Sequence, residues 1–301
     1  MEMKTLLLTG ASGYLGGQFY HKYKSLGWNV FTLGRRSTDH IFWDAKSNRE
    51  IDCSKIPESI DKIIHCAAVN ETSINNDINI TFDVNVTLTR ALADLAIKRS
   101  VKEFVYLSTF HVYGVDQGLI NSDRTINPLN DYGLTHYLSE EILRCVLSDV
   151  VPSILCLRPT NLFGMPVEMS GFDRWSLVPF DFVKSIVETG NISLRSSGEQ
   201  YRNFVHCSHV LNAAPSLTGF EVRDVYGMTS TIKDFGGLVI DHLRISKGIH
   251  GSLLIPKEFS HGNSGPTEKL RFKGGRVIES ECIGELYSFI DLLSDEIINV
   301  E

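Results

Sequence analysis

Leu6-Leu7-Leu8-Thr9-Gly10-Ala11-Ser12-Gly13-Tyr14-Leu15-Gly16 is the stretch from which the fold is read. A short apolar run, read as a buried parallel strand, breaks into a turn with glycines at 10, 13 and 16. It then passes into a segment with Leu15, Phe19, Tyr23 and Leu26 at helical spacing. Strand, glycine-rich turn and helix in that order make a nucleotide loop. Gly10 permits the tight turn, Gly13 lets the backbone approach a pyrophosphate, and Gly16 lets the helix pack on its strand. The N–H groups and positive dipole end of the helix, at Ser12, Tyr14 and Leu15, then hold the phosphates. Glycines that merely mark a loop are the bland alternative, and the flanking strand and helix weigh against it.

Working outward, Asn29-Val30-Phe31-Thr32-Leu33 reads as a second strand, whose end normally sets cofactor choice. An acid about 20 positions beyond the glycines binds a ribose 2′-hydroxyl. Here Leu33-Gly34 occupy that place and Arg35-Arg36 follow. A guanidinium offers donors and a fixed charge to a 2′-phosphate, so the pair favours NADP, with NAD as the alternative if both arginines are only solvated. His40–Asp44 reads as a third strand and Lys62–Ala68 as a fourth, ending in the small residues Cys66, Ala67 and Ala68 on which a flat ligand can lie. Phe82–Lys98 is helical in spacing with Asn85 its one awkward polar member, ordinarily an exposed one. A strand at Glu103–Leu107 delivers Ser108-Thr109-Phe110-His111, a helix opens at Asp131 and continues to about 148, and Pro152–Leu157 is another strand. Strands and helices alternating in this way imply right-handed βαβ units and a doubly wound parallel α/β sheet of Rossmann type.

Beyond residue 165 Gly, Pro and aromatic residues increase; helices are expected near 180–188 and 231–243, with a return strand at Asp224–Gly227. The expected organisation is a dinucleotide-binding domain over 1–165, with return segments at about 203–243, and a smaller, mostly substrate-binding C-terminal region over 166–301. The pattern leaves the fold of the last fifty residues open.

Composition sets the outer limits. The 301 residues are 43% hydrophobic and carry a net charge of −7 without a basic block, which argues against nucleic acid or an anionic membrane as partner. The six scattered cysteines contain no Cys-x-x-Cys pair and are read as reduced core residues, with no metal site. The first strand begins at once and no apolar run reaches membrane-spanning length, so a soluble, cytoplasmic protein is expected.

These landmarks, from Thr9 to about 240, resemble the extended short-chain dehydrogenase/reductases, the group of nucleotide-sugar epimerases, dehydratases and reductases. Thr-Gly-Ala-Ser-Gly-Tyr-Leu-Gly, His-Cys-Ala-Ala, the Asn85 helix, Leu-Ser-Thr with Val-Tyr-Gly, Asp-Tyr-Gly-Leu-Thr-His, Arg-Pro-Thr-Asn-Leu-Phe-Gly and Arg-Asn-Phe-Val-His occur in family order. The resemblance implies that Thr109 hydrogen-bonds a substrate oxygen and that Tyr132 passes a proton to or from it. It puts Asp44 at the adenine, the Cys66–Ala68 backbone, Asn85 and Pro159 in the cofactor-contacting set, and Asn161 and Arg202 at a sugar nucleotide, Arg202 through phosphate. A core Tyr, a capping Thr and a surface Arg are the bland counterparts. The family's dimers use the two long helices, here roughly 78–98 and 132–148, so a homodimer is expected.

One departure bears on the chemistry. The family has Tyr-x-x-x-Lys, and this chain has Tyr132-Gly133-Leu134-Thr135-His136. Four residues on, His136 shares the face of Tyr132 and faces the nicotinamide ribose. A neutral imidazole keeps a ribose hydrogen bond but loses the fixed charge that favours a tyrosinate. Phe110-His111 replace the Asp-Glu of a 4,6-dehydratase, which disfavours water elimination; His111 either exchanges a proton with substrate or packs as a core residue. The reading is therefore an NADP-dependent keto-sugar reductase or 4-epimerase. Its alternatives are a cofactor-binding member with weak or no catalysis and a reductase of a non-sugar carbonyl.

Overall fold

The computed structural model describes residues 3–46, 50–70, 77–115, 117–120, 125–213, 218–256, 268–272 and 279–300. The first half runs β1 (Thr5–Thr9), α1 (Tyr14–Ser25), β2 (Asn29–Gly34), β3 (Ile41–Phe42), β4 (Lys62–His65), α2 (Ile78–Phe82), a π turn (Asp83–Thr87), α3 (Leu88–Lys98), β5 (Glu103–Leu107), β6 (Leu119–Ile120), α4 (Asp131–Leu147) and β7 (Ser153–Pro159). The second runs β8 (Asn161–Phe163), α5 (Val178–Thr189), β9 (Asn191–Ser193), β10 (Tyr201–His206), α6 (Cys207–Asn212), β11 (Gly219–Val225), β12 (Met228–Thr231), α7 (Ile232–Lys247), β13 (Ser252–Leu254), β14 (Arg271–Phe272) and α8 (Glu279–Val300).

Seven strands form one sheet in the order β11-β7-β5-β4-β1-β2-β3, every neighbouring pair parallel. The chain winds outward from β1 to β3, then returns across β1 to build β4, β5, β7 and β11. The order reverses between β1 and β4, and the crevice at the carboxyl ends of those strands is where an open α/β sheet binds its ligand. Alternation along β1 explains the two covered faces: Leu7 joins the core under α3 and α4 with Phe104, Leu92 and Leu143, while Leu6 and Leu8 join Phe19 of α1 on the other face.

The C-terminal region has its own core, in which Phe163, Phe180, Phe204 and Phe235 pack with Leu286, Phe289 and Leu293 of α8. Among the described residues no helix is long and apolar enough to cross a membrane.

Several expectations are corrected. The third strand is reduced to Ile41–Phe42, with Asp44 in an isolated bridge. The fourth stops at His65, because the Cys66 and Ala67 N–H groups turn to donate to Thr9 Oγ1 at 3.2 and 3.1 Å. The return strand lies at Gly219–Val225, and Gly227 starts a switch into β12, which pairs antiparallel with β10. α8, unread in the sequence, closes the C-terminal core. Cys156, Cys207 and Cys282 are buried, but Cys53 and Cys145 are exposed rather than core residues.

Candidate active site

The glycine loop folds as its pattern requires. Gly10 adopts a φ of +70°, and a Cβ there would lie 2.7 Å from the Ala67 backbone nitrogen, so this residue lets the β1–α1 turn touch the loop after β4. A Cβ at Gly16 would collide with the Gly10 carbonyl. Gly13 caps α1 without a side-chain hydrogen bond, and the first turn holds no acid. The N–H groups of that turn are thus left for an anion. Ser12 and Gly13 are exposed, whereas the Tyr14 side chain turns away: its hydroxyl donates to the Gly164 carbonyl at 2.6 Å and its ring packs edge-on against Phe172 and Phe180. Leu15 is also spent on packing, against the core under α1. Only the backbones of these two residues are available to a phosphate.

At the end of β2 the sequence reading missed an acid. The chain folds back so that Asp39 Oδ2 accepts from the Arg36 N–H at 2.9 Å and lies 2.5 Å from where a Cβ on Gly34 would stand. A carboxylate from five residues downstream occupies the place that lacks one in linear sequence. Arg36 and Asp39 both line a cavity of about 320 Å³ that Ser12 and Gly13 also border; Arg35 and Asp44 do not line it.

The crossing segments carry the chemistry. Asn130 Oδ1 accepts from Gly133 N at 2.9 Å and caps α4. A Cβ at Gly133 would come within 2.5 Å of the His111 carbonyl, so the glycine allows the first turn of α4 to abut the short helical turn Phe110–Tyr113. That contact puts the Tyr132 ring 5.5 Å from His111 and 4.7 Å, edge-on, from His136. Thr109 is buried, and its Oγ1 accepts from the His111 N–H at 3.2 Å, the capping role; its hydroxyl proton stays available to an acceptor.

His136 is fully enclosed. Its Nδ1 lies 2.8 Å from the Tyr106 hydroxyl, and among the described residues its buried Nε2 has no hydrogen-bond partner. Burial first, and then the nearby His111, push its pKa down to about 3, so the ring is neutral at ordinary pH. A buried polar atom without a partner costs on the order of 1–3 kcal/mol, which a ribose hydroxyl would recover. The unpartnered Nε2 and the uncapped α1 turn both fit a dinucleotide lying across the crevice.

Asn85 joins the two halves of the site. Contrary to the general expectation for a mid-helix Asn, it is buried; its Oδ1 accepts from Val69 N at 2.7 Å and its Nδ2 donates to Thr135 Oγ1 at 3.0 Å. The π turn around it frees its carbonyl, which accepts from Thr89 Oγ1 at 2.7 Å and Ser139 Oγ at 2.5 Å. The Thr89 proton is therefore spent, and His65 Nε2 must be the donor to Thr89 across their 2.9 Å contact. His65 Nδ1 then accepts from Thr9 Oγ1 at 2.7 Å, and Thr9 receives the Cys66 and Ala67 N–H groups. The chain of bonds fixes the loop that borders the cofactor crevice relative to the helix bearing Tyr132 and His136. Thr9, His65, Thr89 and Ser139 were not legible as site residues, for they act only through partners distant in sequence.

A second buried network underlies the substrate side. Ser108 Oγ donates to Glu140, which accepts from Arg158 Nε at 2.9 Å and Nη2 at 2.5 Å; Arg158 Nη1 donates to the Tyr113 hydroxyl at 2.8 Å, and that hydroxyl reaches Asp224 at 3.0 Å. Burial pushes Tyr113 up to about 12 and raises Asp224 as well. Above this network, His111, Asn161 and Arg202 line one cavity of about 370 Å³ together with Phe110, Thr160 and Asn203. Pro159 is buried in β7, paired with Val225, and touches neither cavity. Asn203 is a structural crosslink whose amide bonds Gly227 and Thr229 on β12 and whose oxygen accepts from Thr160.

The sequence pattern of the NAD dependent epimerase/dehydratase family matches residues 6–215. YtcB of Bacillus subtilis, described as an uncharacterised UDP-glucose epimerase, is 22% identical over 265 residues, spanning 77% of this chain and 82% of its own. The UDP-N-acetylglucosamine 4-epimerase of Methanobrevibacter ruminantium, solved with UDP-N-acetylmuramic acid, superposes with a TM-score of 0.78 at 16% identity over 98% of this chain and 100% of that one. The UDP-glucuronic acid 4-epimerase of Bacillus cereus, solved with UDP-glucuronic acid and NAD, gives 0.72 at 19% identity over 99% and 100%.

Proposed function

Because the chain belongs to the NAD-dependent epimerase/dehydratase family, we propose that it is a nucleotide-sugar 4-epimerase acting on a UDP-linked sugar with a tightly held NAD or NADP. The observation that carries this reading is the meeting of Tyr132 with His111 and His136 beside the cavity that Asn161 and Arg202 line. Several of the similar structures are 4-epimerases, and the two described above were solved with UDP-sugars.

A dinucleotide held in the crevice would supply the reversible hydride acceptor that exchange at the sugar carbon requires. Every other task falls to the protein. Tyr132 takes the proton of the reacting hydroxyl and gives it back; Thr109 donates a hydrogen bond to that oxygen. Arg202 holds the diphosphate and Asn161 the sugar-nucleotide end. His136, neutral, bonds the nicotinamide ribose through Nε2. The backbones of Ser12 to Gly16 and of Cys66 to Ala68 seat the pyrophosphate and flank the ring. A homodimer formed through α2–α3 and α4, whose outer faces expose Ile78, Ile97 and Leu134, belongs to the same proposal, and sedimentation velocity tests it.

A panel of UDP-hexoses incubated with catalytic protein and no added reductant decides the reaction class. Interconversion of 4-epimers, lost by roughly 10²–10⁴-fold in Tyr132→Phe, supports the proposal. Stoichiometric consumption of NADPH on a 4-keto sugar favours the keto-sugar reductase instead, a reading for which Arg36 in the first cavity speaks. The neutrality of His136 favours the third reading, a cofactor-binding protein with little turnover; in that case Tyr132→Phe changes nothing.

A further inference from the structure

The junction of α6 and α8 brings together side chains that neither cavity uses. On α8, Cys282 and Glu285 are three residues apart and so share one face. Facing them on α6 is His209, whose Nε2 lies 2.9 Å from Glu285 Oε2. The candidate donor atoms of His209, Cys282 and Glu285 all fall within 4.8 Å of one another. His206, three residues before His209, puts its Nδ1 3.7 Å from Glu285 Oε1, and Ser208 Oγ lies 3.3 Å from the same oxygen. Cys282 is wholly buried, while the His209 and Glu285 side chains keep 31% and 28% exposure, which provides a path of entry.

We propose that His209, Cys282 and Glu285 bind a zinc-class divalent cation, with a water as fourth donor. With metal–sulfur bonds of about 2.3 Å and metal–nitrogen or –oxygen bonds of about 2.0–2.2 Å, tetrahedral ligands stand roughly 3.3–3.6 Å apart, so rotamer adjustments suffice. The mixed nitrogen, oxygen and sulfur donors select zinc over magnesium or calcium. Binding deprotonates the Cys282 thiol, releasing one proton to solvent.

The place of the site gives it a purpose. α6 is tied to the cofactor helix, since Lys22 of α1 donates to the Leu211 carbonyl at 2.6 Å and Gln18 Nε2 lies 3.8 Å from Cys207 Sγ. An ion at the junction would pin the C-terminal helix to the segment supporting α1, adding stability without touching the chemistry.

The test uses the full chain, stripped with a chelator under a thiol-free reductant, in a Cys53→Ser/Cys145→Ser background that removes the exposed thiols. Titration with cobalt(II) should give a sulfur-to-cobalt charge-transfer band and intense visible bands saturating at one ion per chain, both displaced by zinc. Cys282→Ser should abolish the charge-transfer band, and zinc should raise Tm in the parent but not in the variant. If Cys282→Ser does not fold, His209→Gln decides, with an expected loss of affinity of about tenfold or more on removing one ligand. No band in the parent, a band that survives Cys282→Ser, or unchanged affinity in His209→Gln overturns the proposal. None of these outcomes depends on epimerase activity.

Discussion

The Tyr106 hydroxyl and His136 Nδ1 lie 2.8 Å apart inside the protein, and this contact defines what the histidine offers the active site. One ring nitrogen is committed to a buried phenol, the other has no hydrogen-bond partner among the described residues, and the ring carries no charge. A lysine at the same position would bring a cation to Tyr132; His136 brings only a hydrogen bond.

The first prediction concerns the pH dependence of turnover. Since His136 charges only near pH 3, it contributes no inflection between pH 5 and 8. His136, being neutral, brings no fixed charge to draw the proton from Tyr132, so kcat should climb with pH through the alkaline range. In His136→Lys the ammonium favours the tyrosinate and the acid limb should move down by about one unit or more, with a kcat gain of roughly tenfold at pH 7. Superimposable pH profiles for the two proteins would refute the argument.

The sequence disclosed the frame more fully than the site's interior. The Leu6–Gly16 loop, the strands at 29, 62, 103 and 153 and the α4 helix follow from apolar periodicity and local turn chemistry, which act over a few residues. Tyr132 was singled out by the family resemblance, and helical spacing then put His136 on its face. Asp39 was not, since its position at the β2 terminus depends on a fold-back that no spacing rule anticipates. Asn85 was placed by the family resemblance alone: helical spacing would leave an isolated polar residue solvated, and its burial follows from partners distant in sequence, Thr135 and Val69. α8 escaped notice as well, because its apolar positions acquire meaning only against the phenylalanine cluster of α5, α7 and β10.

Acid should weaken the fold through two enclosed imidazoles. Burial pushes both His65 and His136 down to about 3, whereas the unfolded chain has the ordinary value of about 6.5. Between those values the unfolded state binds protons that the folded state refuses, so stability is full above pH 6.5, falls as pH drops towards 3, and levels off below. The slope should approach about 1.4 kcal/mol per pH unit for each histidine. Urea melts at intervals from pH 7.5 to 4 measure it, and His136→Phe should remove about half of the slope. A variant with the parent's full pH dependence would show that other groups are responsible.

Asn85→Ala should be costly out of proportion to its size. It leaves the half-buried Val69 N–H without its acceptor, while the Thr135 hydroxyl loses a donor but still donates to the Asp131 carbonyl at 2.7 Å. A group stripped of its partner costs about 1–3 kcal/mol, so a loss of roughly that size in urea unfolding is expected. Because the same bonds fix the Cys66–Val69 loop, dinucleotide affinity should fall in parallel, measured by fluorescence titration. Loss of stability with cofactor affinity intact would separate the fold from the crevice and remove Asn85 from the site.

Cofactor choice should turn on Arg36 against Asp39, which border one cavity and are tied through the Arg36 backbone. The carboxylate accepts a bond from a ribose 2′-hydroxyl and repels a 2′-phosphate; the guanidinium does the opposite. In the folded chain the acid sits against Gly34 at the end of β2, so NAD should bind more tightly than NADP. Asp39→Ser should therefore weaken NAD by about tenfold and shift the NADP to NAD affinity ratio upward by roughly a hundredfold, since a repulsion is lost along with a hydrogen bond. Arg36→Ala should weaken NADP alone, whereas Arg35→Ala, outside the cavity, should leave the ratio unchanged. An Asp39→Ser protein whose ratio equals the parent's, measured by calorimetric titration of both dinucleotides, would return the decision to the arginines and make NADP the cofactor.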